Sequence, residues 1–454
     1  MRDLLARRGG RRIRELLARR GGRRMRDLLA RIDAATPATR DRGVDGLRAL
    51  AIAGVVLGHW LVTALVADSG TVRAASPLRA LPELAPLSWV FQTLAVFFLV
   101  GGMVAGRGLR AAGHDRASRG NAAGGGRAAS GGQAAGSGQA TGGGQATGGG
   151  QATGSGQRAG YPGWVGGRLA RLFRPVAAVP AVWAVIALVL PAGGVGLDSV
   201  RTLVKLVWSP LWFLLIFAVL TAATPLAARL HPAWPLAVVA LVDLLRFGLG
   251  GPAWLGWVNV PAGWLVPYCL GVAWGGGGAR RASGAGEERG GWAVPGPRTG
   301  WALLLGGGAA TAGLIGWAGY PVAMVGVPGA AISNLDPPTL AAVTFGLAQC
   351  GAAVLLLGPL RRALRRPLAW AATALVNLSA ITIFLWHQTA MIAVTALGLL
   401  TGRALPGLHT PPDSAAWVAA RLAWLPVFAL ALAACWAVFR RHERGVTRHR
   451  APTT

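Results

Sequence analysis

Ten times along the chain an apolar run appears that is close to the length a bilayer demands: 47–67, 84–106, 170–190, 207–227, 233–249, 254–274, 299–320, 339–359, 373–399 and 415–439. Inside hydrocarbon every backbone N–H and C=O must be satisfied within the protein, which restricts spanning segments to helices and closed barrels. A helix needs about 20 apolar residues for the crossing. The chain therefore reads as an all-α polytopic membrane protein of about ten transmembrane helices. The fifth run is short and carries Asp243 and Arg246, so the count has a margin of one or two. Composition agrees, with 53% hydrophobic and only 13% charged residues and a mean hydropathy of +0.48.

The formal charge of +29 would suggest nucleic acid in a water-soluble protein. Here the arginines fall between apolar runs, where they act as topology signals, and no nucleic-acid partner is expected. When loops are assigned to alternate sides, the basic ones gather on one: the N-terminal segment, 107–174, Arg229, 280–298, "RRALRR" at 361–366 and the tail "RRHERGVTRHR". The opposite loops are nearly bare. The rule that positive loops stay inside puts both termini in the cytoplasm and the protein in the cell membrane as a multi-pass component.

Residues 1–42 form a basic extension containing a twelve-residue repeat, "RDLLARRGGRRI", "RELLARRGGRRM" and "RDLLARIDAATP". It reads either as a polybasic segment lying on anionic lipid or as a dispensable appendage whose true start is Met1 or Met25. No cleavable leader is expected, because the first apolar run is long enough to span. Residues 43–440 form the transmembrane domain. Into it is inserted a Gly-rich flexible loop, 107–167, whose centre "GGGQATGGGQATGSGQ" lacks any apolar period. Residues 441–454 are a basic cytoplasmic tail. The cysteines Cys269, Cys350 and Cys435 are far apart and predict neither a disulfide nor a metal site.

The chemistry is concentrated in a few intramembrane polar groups, which are rare unless they serve a pathway or a reaction. In the first run Asp45, Arg48 and His59 share one helical stripe, with Arg48 at the cytoplasmic mouth and His59 about 16 Å deeper, near mid-membrane. His59 is either a reactive imidazole or a structural one bonded to a neighbouring helix. "RLARLFRP" sets Arg168, Arg171 and Arg174 at the start of the third run, three apart. They either fork onto phosphate oxygens or snorkel to lipid headgroups. "FLWHQT" places His387 and Gln388 within the ninth run, with Asn377 three turns away on the same line. Two histidines at similar depth suggest a shared polar cavity. Asp243 and Arg246 are expected to neutralise each other as a structural pair.

The stretches "RDRGVDGLRALAIAGVVLGH", "FFLVGGMVAG", "RLARLFRP", "LWFLLIFAVL" and "FLWHQT", in that order, resemble the membrane acyltransferase family 3, in its actinobacterial form, over about 40–440. The resemblance implies a ten-helix O-acyltransferase that takes an acyl group, acetyl first among them, from cytoplasmic acyl-CoA. The acceptor would be a hydroxyl of a carbohydrate, a glycolipid or a small metabolite. By motif, His59 matches the family's essential histidine, Arg48 its first-helix arginine, and Arg168 with Arg171 its arginine pair, unless the pair is Arg171 with Arg174. His387 and Gln388 are grouped with the arginines as candidate substrate contacts. Where the family carries Ser before a glycine, Gly101 stands here. No bound cofactor and no metal are expected; acyl-CoA is a substrate. The alternative is a proton-coupled transporter or flippase using His59 and His387 as a relay, which the sequence supports with neither inverted repeats nor paired broken helices.

Overall fold

The computed structural model describes residues 27, 29–37, 40–68, 70–129, 161–275, 295–330 and 332–443, leaving aside the side chains of 112–129, 161, 162, 164, 171, 174 and 441–443. Most of the N-terminal repeat, the insert's centre at 130–160, the 276–294 loop and most of the C-terminal tail thus lie outside the described residues. Among the described residues, seven helical stretches are long and apolar enough to cross a membrane. Among the described residues, the architecture is a helical bundle with one small hairpin.

Helix α1 is Arg42–Val62. It starts five residues before the predicted run because Asp41 caps it, its carboxylate accepting from the Gly43 N–H at 2.8 Å. It also stops five residues early. Thr63 turns extended, and strands β1 (Ala64–Asp68) and β2 (Thr71–Ala75) form an antiparallel pair with Ala64 opposite Ala75. Gly70, at a φ of 80°, supplies the left-handed backbone that their tight turn needs.

After the hairpin the chain makes short turns, helical at Pro77–Ala80 and Ala85–Ser88, before α2, Leu94–Ala129. The second run was expected to be helical from residue 84. Pro86, which lacks a backbone N–H, falls in its first residues, and the chain there forms only the single turn Ala85–Ser88 before α2 starts at Leu94. Its start sits halfway along α1: the Thr93 hydroxyl donates to the Ala51 carbonyl at 2.7 Å, and a Cβ on Gly54 would meet the Thr93 side chain at 2.6 Å. At its other end α2 continues to Ala129, well into the segment read as flexible loop, where alanines favour helix.

The remaining helices are α3 (Tyr161–Val176), α4 (Ala178–Ala192), α5 (Leu197–Trp208), α6 (Leu211–Ala222) and α7 (Ala233–Asp243). They are followed by α8 (Asn259–Gly275), α9 (Pro297–Trp317), α10 (Leu340–Ala363), α11 (Pro367–Leu378), α12 (Ala380–Leu399) and α13 (Ala415–Glu443). The third and ninth predicted spans are each two helices. The ninth breaks at Ser379, whose hydroxyl accepts from Trp436 Nε1 at 2.6 Å. Asn377 and Gln388 therefore do not share one continuous helix. The Asn377 amide instead donates to the Asp45 carbonyl at 2.9 Å, tying α11 to α1.

The fifth run yields only the 11 residues of α7 and a single π-helical turn, Leu244–Gly248. Asp243 is not neutralised simply by Arg246. Its carboxylate accepts from Asn259 Nδ2 at 2.8 Å, Tyr320 Oη at 2.9 Å and the Leu340 N–H at 2.7 Å, while Arg246 lies over the Phe247 ring at 4.7 Å. The carboxylate is structural in a wider sense, joining α7 to α8, α10 and the loop after α9.

Glycines set the closest helix contacts. With little hydrophobic drive between helices in lipid, small residues that let backbones approach provide the packing. A Cβ on Gly271 of α8 would fall 2.0 Å from the Leu99 carbonyl of α2, and one on Gly102 of α2 would fall 2.2 Å from the Tyr268 carbonyl of α8. Such backbone obstacles cannot rotate away. Gly271→Ala is therefore expected to destabilise the fold by about 1–3 kcal/mol, read as a lower melting temperature in detergent. Gly316→Ala on α9, where a Cβ meets nothing within 4 Å, should leave the melting temperature unchanged or slightly raised.

Candidate active site

The arginine-rich end of α1 is held by ion pairs. Arg361 of α10 reaches Asp41 at 2.5 Å, and Arg40 reaches Asp45 at 2.5 Å. The Asp45 carboxylate, by hydrogen bonding, keeps the Arg40 guanidinium above its ordinary pKa. Asp45 is thus committed to the rim. The end of the N-terminal extension docks beside it: Asp33 pairs with Arg42 at 2.5 Å, and Thr36 Oγ1 accepts from Trp370 Nε1 at 2.9 Å. Asp33 and Thr36 thus contact α1 and α11.

One turn further in, Arg48 and Ile52 of α1 face a cavity of about 290 Å³. Arg168 of α3 contributes the second guanidinium to its wall. Four aromatic rings also line it, Phe97 from α2, Phe213 and Phe217 from α6, and Phe384 from α12, with aliphatic side chains such as Val104, Leu172 and Leu214 between them. The cavity is therefore two-ended in character, cationic on α1 and α3 and apolar on α2, α6 and α12. The backbones of Arg171 and Arg174 lie on the same helix as Arg168, and their side chains lie outside the described residues.

Beyond Phe384 lie the two histidines. Their ring centroids are 5.1 Å apart at 44°. His387 is fully buried and its Nδ1 is 2.6 Å from the Phe384 carbonyl. A carbonyl only accepts, so Nδ1 carries the proton and Nε2 presents its lone pair. That Nε2 is buried and makes no hydrogen bond, as is the Oε1 of the neighbouring Gln388. Buried polar atoms are seldom left so. The Phe384 ring, 5.9 Å from the His387 ring and 5.4 Å from Phe213, separates this pair from the cavity.

Arg48 and His59 do follow one stripe of α1, yet they serve different compartments: Arg48 lines the cavity and His59 does not. His59 also lies nearer the far end of the helix than its middle, only three residues before Val62. The helix begins at Arg42 and not at the start of the apolar run, which moves its centre toward the arginine-rich end.

A residue that the sequence reading passed over completes the far end. Arg421 of α13 is 1% exposed and donates to the carbonyls of Trp60 at 2.6 Å, Thr63 at 2.7 Å and Gly407 at 2.8 Å, and lies 4.6 Å over the Phe428 ring. Trp60 O and Thr63 O are the orphan carbonyls at the negative end of the α1 dipole, so the cation meets partial charge without a carboxylate. Beside it Trp60 Nε1 donates to the His387 carbonyl at 3.0 Å. The tenth run contained the signal: an arginine inside an otherwise apolar span.

Fold and site together define a polytopic membrane protein with a cavity lined by Arg48, Arg168 and apolar side chains, and a histidine pair packed beyond Phe384. A family model described as an acyltransferase domain, that of membrane acyltransferase family 3, matches residues 41–440. The chain belongs to this family and is an acyltransferase. No curated protein and no solved structure matches it.

Removing the Arg421 guanidinium would leave three buried carbonyls without donors. Arg421→Met is expected to destabilise the protein by about 3 kcal/mol or more, visible as a lower detergent melting temperature. Arg421→Lys, which keeps the charge but cannot fork onto three carbonyls, should melt between the Met variant and the native protein.

Proposed function

We propose that this acyltransferase takes an acyl group, in the first place acetyl, from acyl-CoA at its cytoplasmic, arginine-rich end and esterifies a hydroxyl of a carbohydrate, glycolipid or small metabolite. The observation that carries the reading is the juxtaposition of two chemistries: a cavity with Arg48 and Arg168 in its wall, and next to it a histidine pair at 5.1 Å. A CoA thioester has phosphates at one end and a reactive carbonyl on a long neutral arm at the other. The arginines suit the phosphates, because guanidinium forks match phosphate oxygens. The concentration of arginine in the loops on that side supports its cytoplasmic orientation, and with it cytoplasmic termini.

In the proposed reaction His59 accepts the proton of the acceptor hydroxyl as its oxygen attacks the thioester carbonyl. A C–O bond forms, the C–S bond breaks, and the proton passes to the departing thiolate, giving the ester and CoA thiol. His387, with Nδ1–H committed to the Phe384 carbonyl, packs its ring against that of His59 at 5.1 Å and keeps an unbonded Nε2. Membership of a transferase family favours this reading over a proton-coupled transporter built on the same histidines.

General base catalysis contributes typically about 10²–10⁴-fold. His59→Gln should therefore lower thiol release from acetyl-CoA in membranes by about that factor while membrane insertion stays normal; near-normal turnover would make His59 structural. Arg168→Gln is expected to raise the apparent KM for acetyl-CoA by about tenfold, since a charge-assisted hydrogen bond is worth about 1.5–3 kcal/mol, and to leave the KM for the acceptor unchanged. An unaltered donor KM would return Arg168 to the task of anchoring topology.

A further inference from the structure

The apolar end of the cavity does more than hold a neutral arm. Phe97, Phe213 and Phe384 close it with interlocked rings: Phe97 meets Phe213 edge-on at 4.9 Å, and Phe213 meets Phe384 at 5.4 Å. Behind Phe213 stands Phe98, edge-on at 5.1 Å and itself fully buried. On the open side Phe217, one turn along α6, stacks on Phe213 at 6.4 Å and 23°. It is seated directly against Gly101, where a Cβ would fall 2.4 Å from its ring. The absent side chain at 101 is thus what lets the Phe217 ring pack against α2.

We infer that this wall, with Phe213 at its centre, sets the acyl length this enzyme accepts and restricts it to short-chain donors. The inference rests on the cavity being the acyl-CoA site. With the phosphates at Arg48 and Arg168, the arm runs toward Phe384, behind which lies His387, so the thioester stops at the wall. The acyl carbons beyond the carbonyl have only the space these rings leave. A volume of about 290 Å³ lies at the bottom of the roughly 300–1,000 Å³ range of small-molecule sites, and the arm takes most of it. Rings packed edge-to-face on several neighbours do not yield to an added methylene as a flexible side chain would. An acetyl group fits against the wall, and a hexanoyl chain has to displace Phe213.

Binding tests this without knowledge of the acceptor. Purified protein is titrated calorimetrically with CoA, acetyl-CoA and hexanoyl-CoA. The native protein should bind acetyl-CoA with a Kd at least about tenfold below that of hexanoyl-CoA, in keeping with a discrimination of about 10–200-fold per methylene in a tight pocket. Phe213→Ala should bring the two values within about threefold of each other by improving hexanoyl-CoA. Phe213 touches several rings, so Phe213→Leu, which keeps an apolar filling, provides a variant that retains the fold and should move the ratio in the same direction by less. Equal affinity of the native protein for both donors, or an unchanged ratio in both folded variants, overturns the length-setting role. Failure of the native protein to bind CoA or either thioester overturns the donor-site reading itself, which is a distinct result.

Discussion

The far end of α1 is the constraint on which the site depends. Two hydrogen-bonded straps meet there: Trp60 Nε1 on the His387 carbonyl, and the Arg421 guanidinium on the carbonyls of Trp60 and Thr63. The first fixes the register between α1 and α12 at the level of the histidines, so that His59 and His387 face each other. The second closes α1 where its carbonyls have no further turn to serve. In water such carbonyls would be solvated; in a membrane bundle they need a protein donor. A guanidinium with three satisfied directions gives a rigid solution, and its burial is tolerable because carbonyl oxygens and the Phe428 face surround it on every side.

The same constraint explains where irregular backbone is allowed. α2 begins at mid-height beside Ala51, and the ninth span breaks at Ser379, both against other helices and not against lipid. Thr93, Asn377 and Ser379 each commit a side chain to a neighbouring helix at these breaks. Ala380 and Ile381, immediately after the second break, line the cavity. The interruption thus lets α11 grip the rim through Asp45 while α12 takes its own line past the cavity to His387. A single straight helix could not do both.

Much of this was legible in the chain. Runs of about 20 apolar residues announced the bundle, and Arg48, Arg168, His59 and His387 stood out because ionisable groups are scarce in hydrocarbon. The features that were not legible came from non-local partners. Hydropathy does not distinguish a helix from the short turns of 77–88, since burial among other helices satisfies either, and proline placement was the only local hint. The hairpin at 64–75 continued an apolar run and so looked like more helix. Arg421 was read as part of a span because its partners are carbonyls contributed by α1 and the loop at Gly407, which no side-chain pattern records. The expected pairing of Asp243 with Arg246 was a local reading of spacing, whereas the carboxylate's strongest partners come from 16, 77 and 97 residues away.

Depth is what joins charge to chemistry in the proposed reaction. Arg48 and His59 are eleven residues apart on one helix, about 16 Å at 1.5 Å per residue. Arginines alone would serve any polyanion, and a histidine pair alone would serve any proton transfer. Held at that separation with the Phe384 ring standing between the cavity and His387, they suit a molecule whose negative charge and reactive carbonyl are joined by a long uncharged arm. The aromatic rings lie on the line between the two, so the imidazoles stay apart from the aqueous mouth while the cavity is empty of donor. Catalysis of transfer in place of hydrolysis needs that separation, because water is a competing acceptor wherever it can reach a thioester. The bundle meets the requirement with packing alone: rings whose positions are set by one another and by a glycine that leaves room for them.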